Sequence, residues 1–133
     1  MVLDTLRAAG EWEVAGFLDD NRSLWGTRLA GVEVLGGTER IESLGADGLT
    51  HVALAFGDNR GREAVLRRVQ AAGLMPANAI HPRATIADGV SLGVGVWMAA
   101  GAIVNPGSVV GDGVVINTGA TVDHDCVLET CCN

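Results

Sequence analysis

The chain has 133 residues, enough for one ordinary domain or two small ones. Hydrophobic residues make up 48%, with only three Trp and two Phe among them, so a globular protein with an aliphatic core is expected. Sixteen acidic residues against nine basic ones give a net charge of −7, which argues against nucleic acid or an anionic membrane surface as the main partner.

MVLDTLRAAG reads as the later part of a helix, with Val2, Leu3 and Leu6 on one face and Gly10 as its stop. It does not have the pattern of a signal peptide. EVAGFLDD is a strand ending in the paired acids Asp19 and Asp20. A loop through Asn21, Ser23, Trp25 and Gly26 leads to GVEVLGG, a short strand or turn. Thr38 is the expected N-cap of a short helix over TERIESLGA. THVALAFGDN predicts a buried strand from His51 to Phe56, broken at Gly57. Asp58 or Asn59 then caps a helix over Arg60–Ala72, with Val65, Leu66 and Val69 as its apolar stripe and Gly73 as its stop. The alternation of strands and helices predicts a small parallel α/β unit. A parallel nucleotide-binding fold opens on a strand and a glycine-rich turn, whereas here a helix comes first, so the start is expected to be truncated. LMPANAIHPRAT, stiffened by Pro76 and Pro82, joins this unit to the remainder.

From Ile80 to Asn133 the chain keeps a period of six: IHPRAT, IADGVS, LGVGVW, MAAGAI, VNPGSV, VGDGVV, INTGAT, VDHDCV, LETCCN. The first position is aliphatic throughout, the fifth is small or β-branched, and the fourth is Gly in six consecutive hexads from Gly89 to Gly119. Neither a helix (period 3.6) nor an ordinary strand (period 2) produces this beat; a hexapeptide β-helix does. The first position points into a narrow core, the fifth fits where the wall bends, and the Gly permits positive φ. Three hexads close one triangular coil, and coils stack at about 4.8 Å, as neighbouring strands do. The uncharged run Gly89–Gly111 has the length of a membrane helix, but its repeated glycines, its Pro and its six-residue beat exclude that reading.

His124 stands third in its hexad, at a turn rather than in the core, between Asp123 and Asp125. Two flanking carboxylates raise its basicity, which suits a general base near neutral pH; on sequence alone a plain surface histidine on a polar turn explains it equally well. His81 reads as a junction residue. A metal enzyme of the γ-carbonic anhydrase kind needs three converging histidines, and His51 lies outside the repeat, so no metal is expected. Cys126, Cys131 and Cys132 lack a standard zinc spacing with His124; Cys126 and Cys132 occupy the small inward position, and reduced thiols are expected. Asp19 and Asp20 lie at a carboxyl edge of the kind that binds nucleotides, although Asp-Asp-Asn is also ordinary turn composition. Of the arginines on the second helix, only Arg60 and Arg62 lie near enough to its N-terminus to meet a diphosphate.

Together VLDTLRAAG, EVAGFLDDN, GDNRGR, IHPRATI and INTGATVDHDC resemble the NeuD/PglD-type bacterial sugar acyltransferases over essentially the whole chain. The resemblance implies a Rossmann-like sugar-nucleotide domain over residues 1–75 and a left-handed parallel β-helix over residues 76–133. It implies acetyl-CoA-dependent acetylation of an amino or hydroxyl group on a UDP-amino sugar or on sialic acid, in a cytoplasmic homotrimer without a metal cofactor. By the same resemblance His124 is the catalytic base, Asp125 orients or polarises its imidazole, and Asn117 lines the same interface site. Asp19 and Asp20, with the turn Gly57, Asp58 and Asn59, are the residues that contact the sugar nucleotide. The family's leading strand and its coils beyond the catalytic His are missing from this sequence. Those coils hold most acetyl-CoA contacts, so the cofactor-binding residues are not identified and the 133 residues are expected to be inactive alone. Trp97 and Val109 are the expected trimer contacts. A non-catalytic β-helix that serves only to assemble trimers is the alternative function.

Overall fold

The computed structural model describes residues 1–133. Helix α1 (Val2–Ala9) ends where Gly10 takes a left-handed conformation (φ 69°) and returns its N–H to the Leu6 carbonyl. Its buried face holds Leu3, Thr5 and Leu6, with Thr5 in place of the expected Val2. Thr5 is buried because its hydroxyl accepts the indole N–H of Trp97 at 3.0 Å, a partner far along the chain.

Strand β1 (Phe17–Leu18) runs parallel to β3 (Val32–Gly36), and β2 (Arg28–Leu29) pairs with β3 antiparallel. The expectation of purely parallel strands is therefore corrected by a hairpin. Its two-residue turn, Ala30 and Gly31, has positive φ at both positions (48° and 82°), which matches the twist of the flanking strands. Ala-Gly is not a usual sequence for that turn, and so the hairpin is silent in the sequence. The segment Thr38–Asp47 is a 3-10 helix. Thr38 is not its N-cap: Gly37 holds that place, and the Thr38 N–H is satisfied by Asp20 Oδ1 at 2.7 Å.

Strand β4 (His51–Ala53) is shorter than expected and pairs in parallel with β5 (Met75–Ala77). Between them lies α2 (Asn59–Ala71), capped by Asp58, whose Oδ1 accepts the Gly61 N–H at 2.7 Å. Ile41 and Leu44 meet Leu54, Val65, Leu66 and Val69 in one apolar cluster. Each large aliphatic buried there is worth roughly 1.5–3 kcal/mol relative to exposure.

From residue 79 the chain winds as nine two-residue strands: β6 (Ala79–Ile80), β7 (Thr85–Ile86), β8 (Ser91–Leu92), β9 (Trp97–Met98), β10 (Ile103–Val104), β11 (Val109–Val110), β12 (Val115–Ile116), β13 (Thr121–Val122) and β14 (Val127–Leu128). They form three parallel sheets, β6-β9-β12, β7-β10-β13 and β8-β11-β14. Val115 lies over Trp97 and Trp97 over Ala79, so one coil takes three hexads. Val96, Met98, Ala102, Val104, Val110, Val114 and Ile116 fill the interior. Every fourth-position Gly from Gly89 to Gly119 has φ between 65° and 77°. In the last two hexads, where Asp125 and Cys131 replace Gly, they take the same left-handed conformation at φ 57°. No helix is long and apolar enough to cross a membrane.

Candidate active site

His124 projects from the turn between β13 and β14, and two features of that turn decide its chemistry. Its Nδ1 lies 2.8 Å from Asp125 Oδ2, and its backbone N–H donates to Asp123 Oδ1 at 2.8 Å. A neutral imidazole with its proton on Nδ1 donates to Asp125 and presents the Nε2 lone pair outward. The hydrogen bond to Asp125, then the charges of Asp123 and Asp125, hold the imidazole pKa above its ordinary value of 6.5. Both side chains are largely exposed, at 69% and 78%, so water moderates the charge effect.

Asp125 reaches His124 because its backbone is left-handed, a conformation that Asp tolerates better than most residues. Its N–H donates to the Pro106 carbonyl one coil below at 3.1 Å. A Cβ on Gly107 would press on the Asp125 carboxylate, so glycine at 107 keeps that carboxylate free to meet the imidazole. Beneath the turn, fully buried Ser108 donates its hydroxyl to the Asp123 carbonyl at 2.8 Å and accepts the Cys126 N–H at 3.2 Å. Sequence reasoning took Ser108 only as a small fifth-position residue. The signal that set it apart was a hydroxyl where neighbouring coils carry Val90 and Cys126.

Asn117 lies on a different edge of the prism, in the turn between β12 and β13, and its exposed side-chain amide makes no hydrogen bond within the chain. Its carbonyl accepts the Ala120 N–H at 3.0 Å. No hydrogen bond joins Asn117 to His124 within one chain.

Asp19, Asp20 and Gly57 line one cleft of about 990 Å³ between β1 and β4, together with Phe17, Phe56 and Trp12. Asp19 Oδ1 accepts the Asn21 N–H at 2.8 Å, and its carbonyl accepts the Trp25 indole at 2.7 Å. Asp20 is bound more tightly: Oδ1 accepts both the N–H and the hydroxyl of Thr38, at 2.7 and 2.9 Å. The Thr38 backbone N–H, then its hydroxyl, with help from the Arg68 charge, lower the Asp20 pKa below 3.8. Arg68 itself donates to the Thr38 carbonyl and to both oxygens of Glu42. Asp58 and Asn59 do not line the cleft; Asp58 caps α2, and Asn59 Oδ1 accepts from Arg62 at 2.9 Å.

Two residues depart from expectation. Arg62 does not face a diphosphate: it is 1% exposed and its guanidinium donates to backbone carbonyls. Trp97 is half-buried under α1 rather than free for a neighbouring chain, whereas Val109 is 44% exposed. The three cysteines are unpaired, and no group of three or more His, Cys, Asp or Glu side chains is placed to hold a metal ion.

Residues 1–69 match the PglD N-terminal domain family, the same stretch that carries the FLDDN and GDN segments. This chain belongs to that family. No curated protein matches this PglD-family chain. Solved structures do. The acetyltransferase domain of PglB from Neisseria gonorrhoeae FA1090, in complex with acetyl coenzyme A, is 36% identical with a TM-score of 0.88, over 98% of this chain and 62% of that one. PerB from Caulobacter crescentus, in complex with CoA and GDP-perosamine, is 40% identical with a TM-score of 0.90, over 98% and 60%. A histidine-to-asparagine variant of the perosamine N-acetyltransferase from the same organism, also with CoA and GDP-perosamine, is 41% identical with a TM-score of 0.91, over 98% and 60%. The PglD-family chain therefore spans 60–62% of the length of these solved chains.

Proposed function

We propose that this chain carries out acetyl-CoA-dependent acetylation of the amino group of a nucleotide-activated sugar. The observation that carries the proposal is His124 on an exposed turn, its Nδ1 held by Asp125 and its Nε2 left for a substrate proton. The relatives' complexes with acetyl-CoA, and with CoA and GDP-perosamine, supply the substrate class. They also widen the acceptor expected from sequence, since a GDP sugar stands beside the UDP sugars.

In the proposed reaction the sugar amine attacks the thioester carbonyl while Nε2 of His124 removes its proton. An amine without that proton transfer would leave a cationic nitrogen in the tetrahedral adduct, which readily reverts. Asp125 orients the imidazole and stabilises the imidazolium that forms. Collapse of the adduct breaks the C–S bond, the amide remains on the sugar, and the imidazolium returns its proton to the departing CoA thiolate. No Cys or Ser is hydrogen-bonded to His124, so direct transfer without an acyl-enzyme is favoured.

We assign residues 1–75 to acceptor binding in a Rossmann-like unit and residues 76–133 to transfer on a left-handed β-helix. Asp19, with one carboxylate oxygen outside its local turn, is the residue best placed to accept from a sugar or ribose hydroxyl, whereas Asp20 shapes the edge through Thr38. The proposed assembly is a cytoplasmic homotrimer with parallel prism axes. Asn117 and His124 lie on different edges of the prism, so a second copy is the means by which the two can share a site; exposed Val109 and Val127 are the proposed contacts. A strictly monomeric species in light scattering would remove the trimer.

The deciding experiment measures CoA thiol release from acetyl-CoA over a panel of UDP- and GDP-4-amino sugars, with the native protein and with His124→Ala. Release by the native protein that is lost in a folded His124→Ala variant supports the proposal. Equal release from both would exclude His124 as the base, and a trimer that binds none of the nucleotide sugars would favour the assembly role.

A further inference from the structure

Four arginines lie on α2, and one differs from the rest. Arg60 and Arg67 are exposed and Arg68 is half-buried against Glu42, while Arg62 is 1% exposed and meets no carboxylate. A buried guanidinium is tolerated only when its donors find oxygen atoms. Arg62 Nε donates to the Gly113 carbonyl at 2.8 Å and Nη1 to the Phe56 carbonyl at 2.8 Å. Its Nη2 donates to the Cys131 carbonyl at 2.7 Å and to Asn59 Oδ1 at 2.9 Å.

The two prism acceptors are equivalent by the repeat. Gly113 and Cys131 are the fourth residues of hexads stacked one coil apart, and both are left-handed, at φ 65° and 57°. Neither carbonyl accepts a backbone N–H, which leaves both open to a side-chain donor. One planar guanidinium thus spans two successive coils, a match of fork to paired acceptors that a lysine could not reproduce.

The same edge of the prism is the seat of the α/β unit. The Cys131 side chain packs inside the cluster of Ile41, Leu44, Leu54, Val65 and Leu66. One coil below Gly113, a Cβ on Gly95 would lie 3.1 Å from Leu54 and Pro76. A bulkier wall at that edge would lift the unit away from the prism.

Both functional regions connect to this clasp through short, structured segments. On one side Phe56 and Asn59 flank Gly57, which lines the cleft with Asp19 and Asp20. On the other, β14 joins the His124 turn to Cys131. We infer that Arg62 is the positioning residue that fixes the acceptor cleft relative to the His124 turn. The inference rests on the proposed function for its consequence in catalysis, while the clasp itself can be measured without activity.

The experiment compares the native protein with Arg62→Met and Arg62→Lys by amide hydrogen exchange and by steady-state kinetics, with acetyl-CoA and a nucleoside-diphosphate 4-amino sugar. In Arg62→Met the Cys131 amide, bonded to the Asp112 carbonyl, and the Val115 amide, bonded to the Cys132 carbonyl, should exchange at least tenfold faster. The Ile103 amide, bonded to the Ala120 carbonyl on another wall, should keep its native rate. In kinetics kcat should fall at least tenfold with both KM values within twofold, because each substrate still binds its own region and only their relative placement is lost. Arg62→Lys should recover part of both effects. A loss of active protein alone would lower kcat without selective exchange at 115 and 131, and would overturn the inference. So would native exchange at Cys131 in Arg62→Met. If Arg62→Met does not fold, the same readings on Arg62→Lys decide. Absence of nucleotide-sugar binding by the native protein, with the exchange pattern as expected, would refute the proposed function and leave the clasp standing.

Discussion

The prism and the α/β unit handle their polar groups in different ways, and the contrast explains where reactive side chains are free. In the prism the backbone does most of the work: N–H groups of each coil donate to carbonyls of the next, as Ile103 does to Ala120 and Ala99 to Ile116, both at 2.9 Å. Some side chains on its turns, the His124 imidazole and the Asn117 amide among them, carry no bond to backbone, although those of Asn105, Ser108 and Asp112 do. In the α/β unit the strands are few, and side chains complete the bonding. Asp20 binds Thr38, Arg68 binds Thr38 and Glu42, and Asp58 caps α2. Of the acids that read as ligands there, Asp20 and Asp58 are already engaged, while Asp19 keeps one carboxylate oxygen free. An acidic residue at a strand end is therefore weaker evidence for binding in a sheet with little ladder than in one with much.

The sharpest way to break that contrast is in the prism core. Met98 is fully buried, and Met98→Ala should cost about 2–5 kcal/mol in urea unfolding, whereas Val127→Ala, at a side chain 73% exposed, should stay within about 0.5 kcal/mol. Similar costs for the two would mean that the interior is not the source of the prism's stability.

The freedom of the His124 turn, with the proposed role of its imidazole, predicts a large effect on rate without one on stability. His124→Ala should lower transfer by about 100-fold or more, while its unfolding midpoint stays near the native value. In the native protein the proposed transfer should slow as pH drops through a pKa above 6.5, because the imidazolium cannot accept the amine proton. A rate limb centred below 6.5 would show that Asp125 and Asp123 do not tune the base.

The satisfied acid of the α/β unit predicts the reverse pattern. Asp20→Ala should destabilise by about 0.5–1 kcal/mol at pH 7, as loss of a cap does when the group is exposed. The folded-state pKa of Asp20 is lowered, so its contribution is present above 3.8 and is lost as pH falls through the folded value. The variant and the native protein should therefore converge in acid, and a difference that persisted there would point to packing instead.

The smallest expected effect joins the two themes at Asp125. Glycine tolerates a left-handed backbone that costs other residues about 1 kcal/mol, so Asp125→Gly should stabilise the turn by roughly 0.5–1 kcal/mol. The same change removes the partner that raises the His124 pKa, which NMR titration should show moving back toward 6.5. The sign of the linkage is set by a raised histidine: the pair's stabilising contribution is full below 6.5 and lost as pH rises through the folded pKa. The variant's advantage should accordingly be greatest in alkali. A variant less stable than native at pH 9 would mean that the carboxylate serves the fold as well as the imidazole.

The β-helix was legible in the sequence because its determinants are local and repeated. An aliphatic first position, a small fifth and a Gly in the fourth place set strand length, turn and coil closure without reference to anything distant. The observed coil-to-coil register from Ala79 to Trp97 to Val115 follows directly. His124 was legible for the same reason, since its place in the hexad puts it at a turn between two acids. The tertiary structure alone decided which polar residues were already bonded. That Thr5 receives Trp97, that Asp20 serves Thr38, and that Arg62 turns inward to Gly113 and Cys131 depend on partners 18 to 92 residues away. Charge and spacing on one element carry no record of such partners, because a buried donor is satisfied by whichever carbonyl the packing of other elements brings within reach.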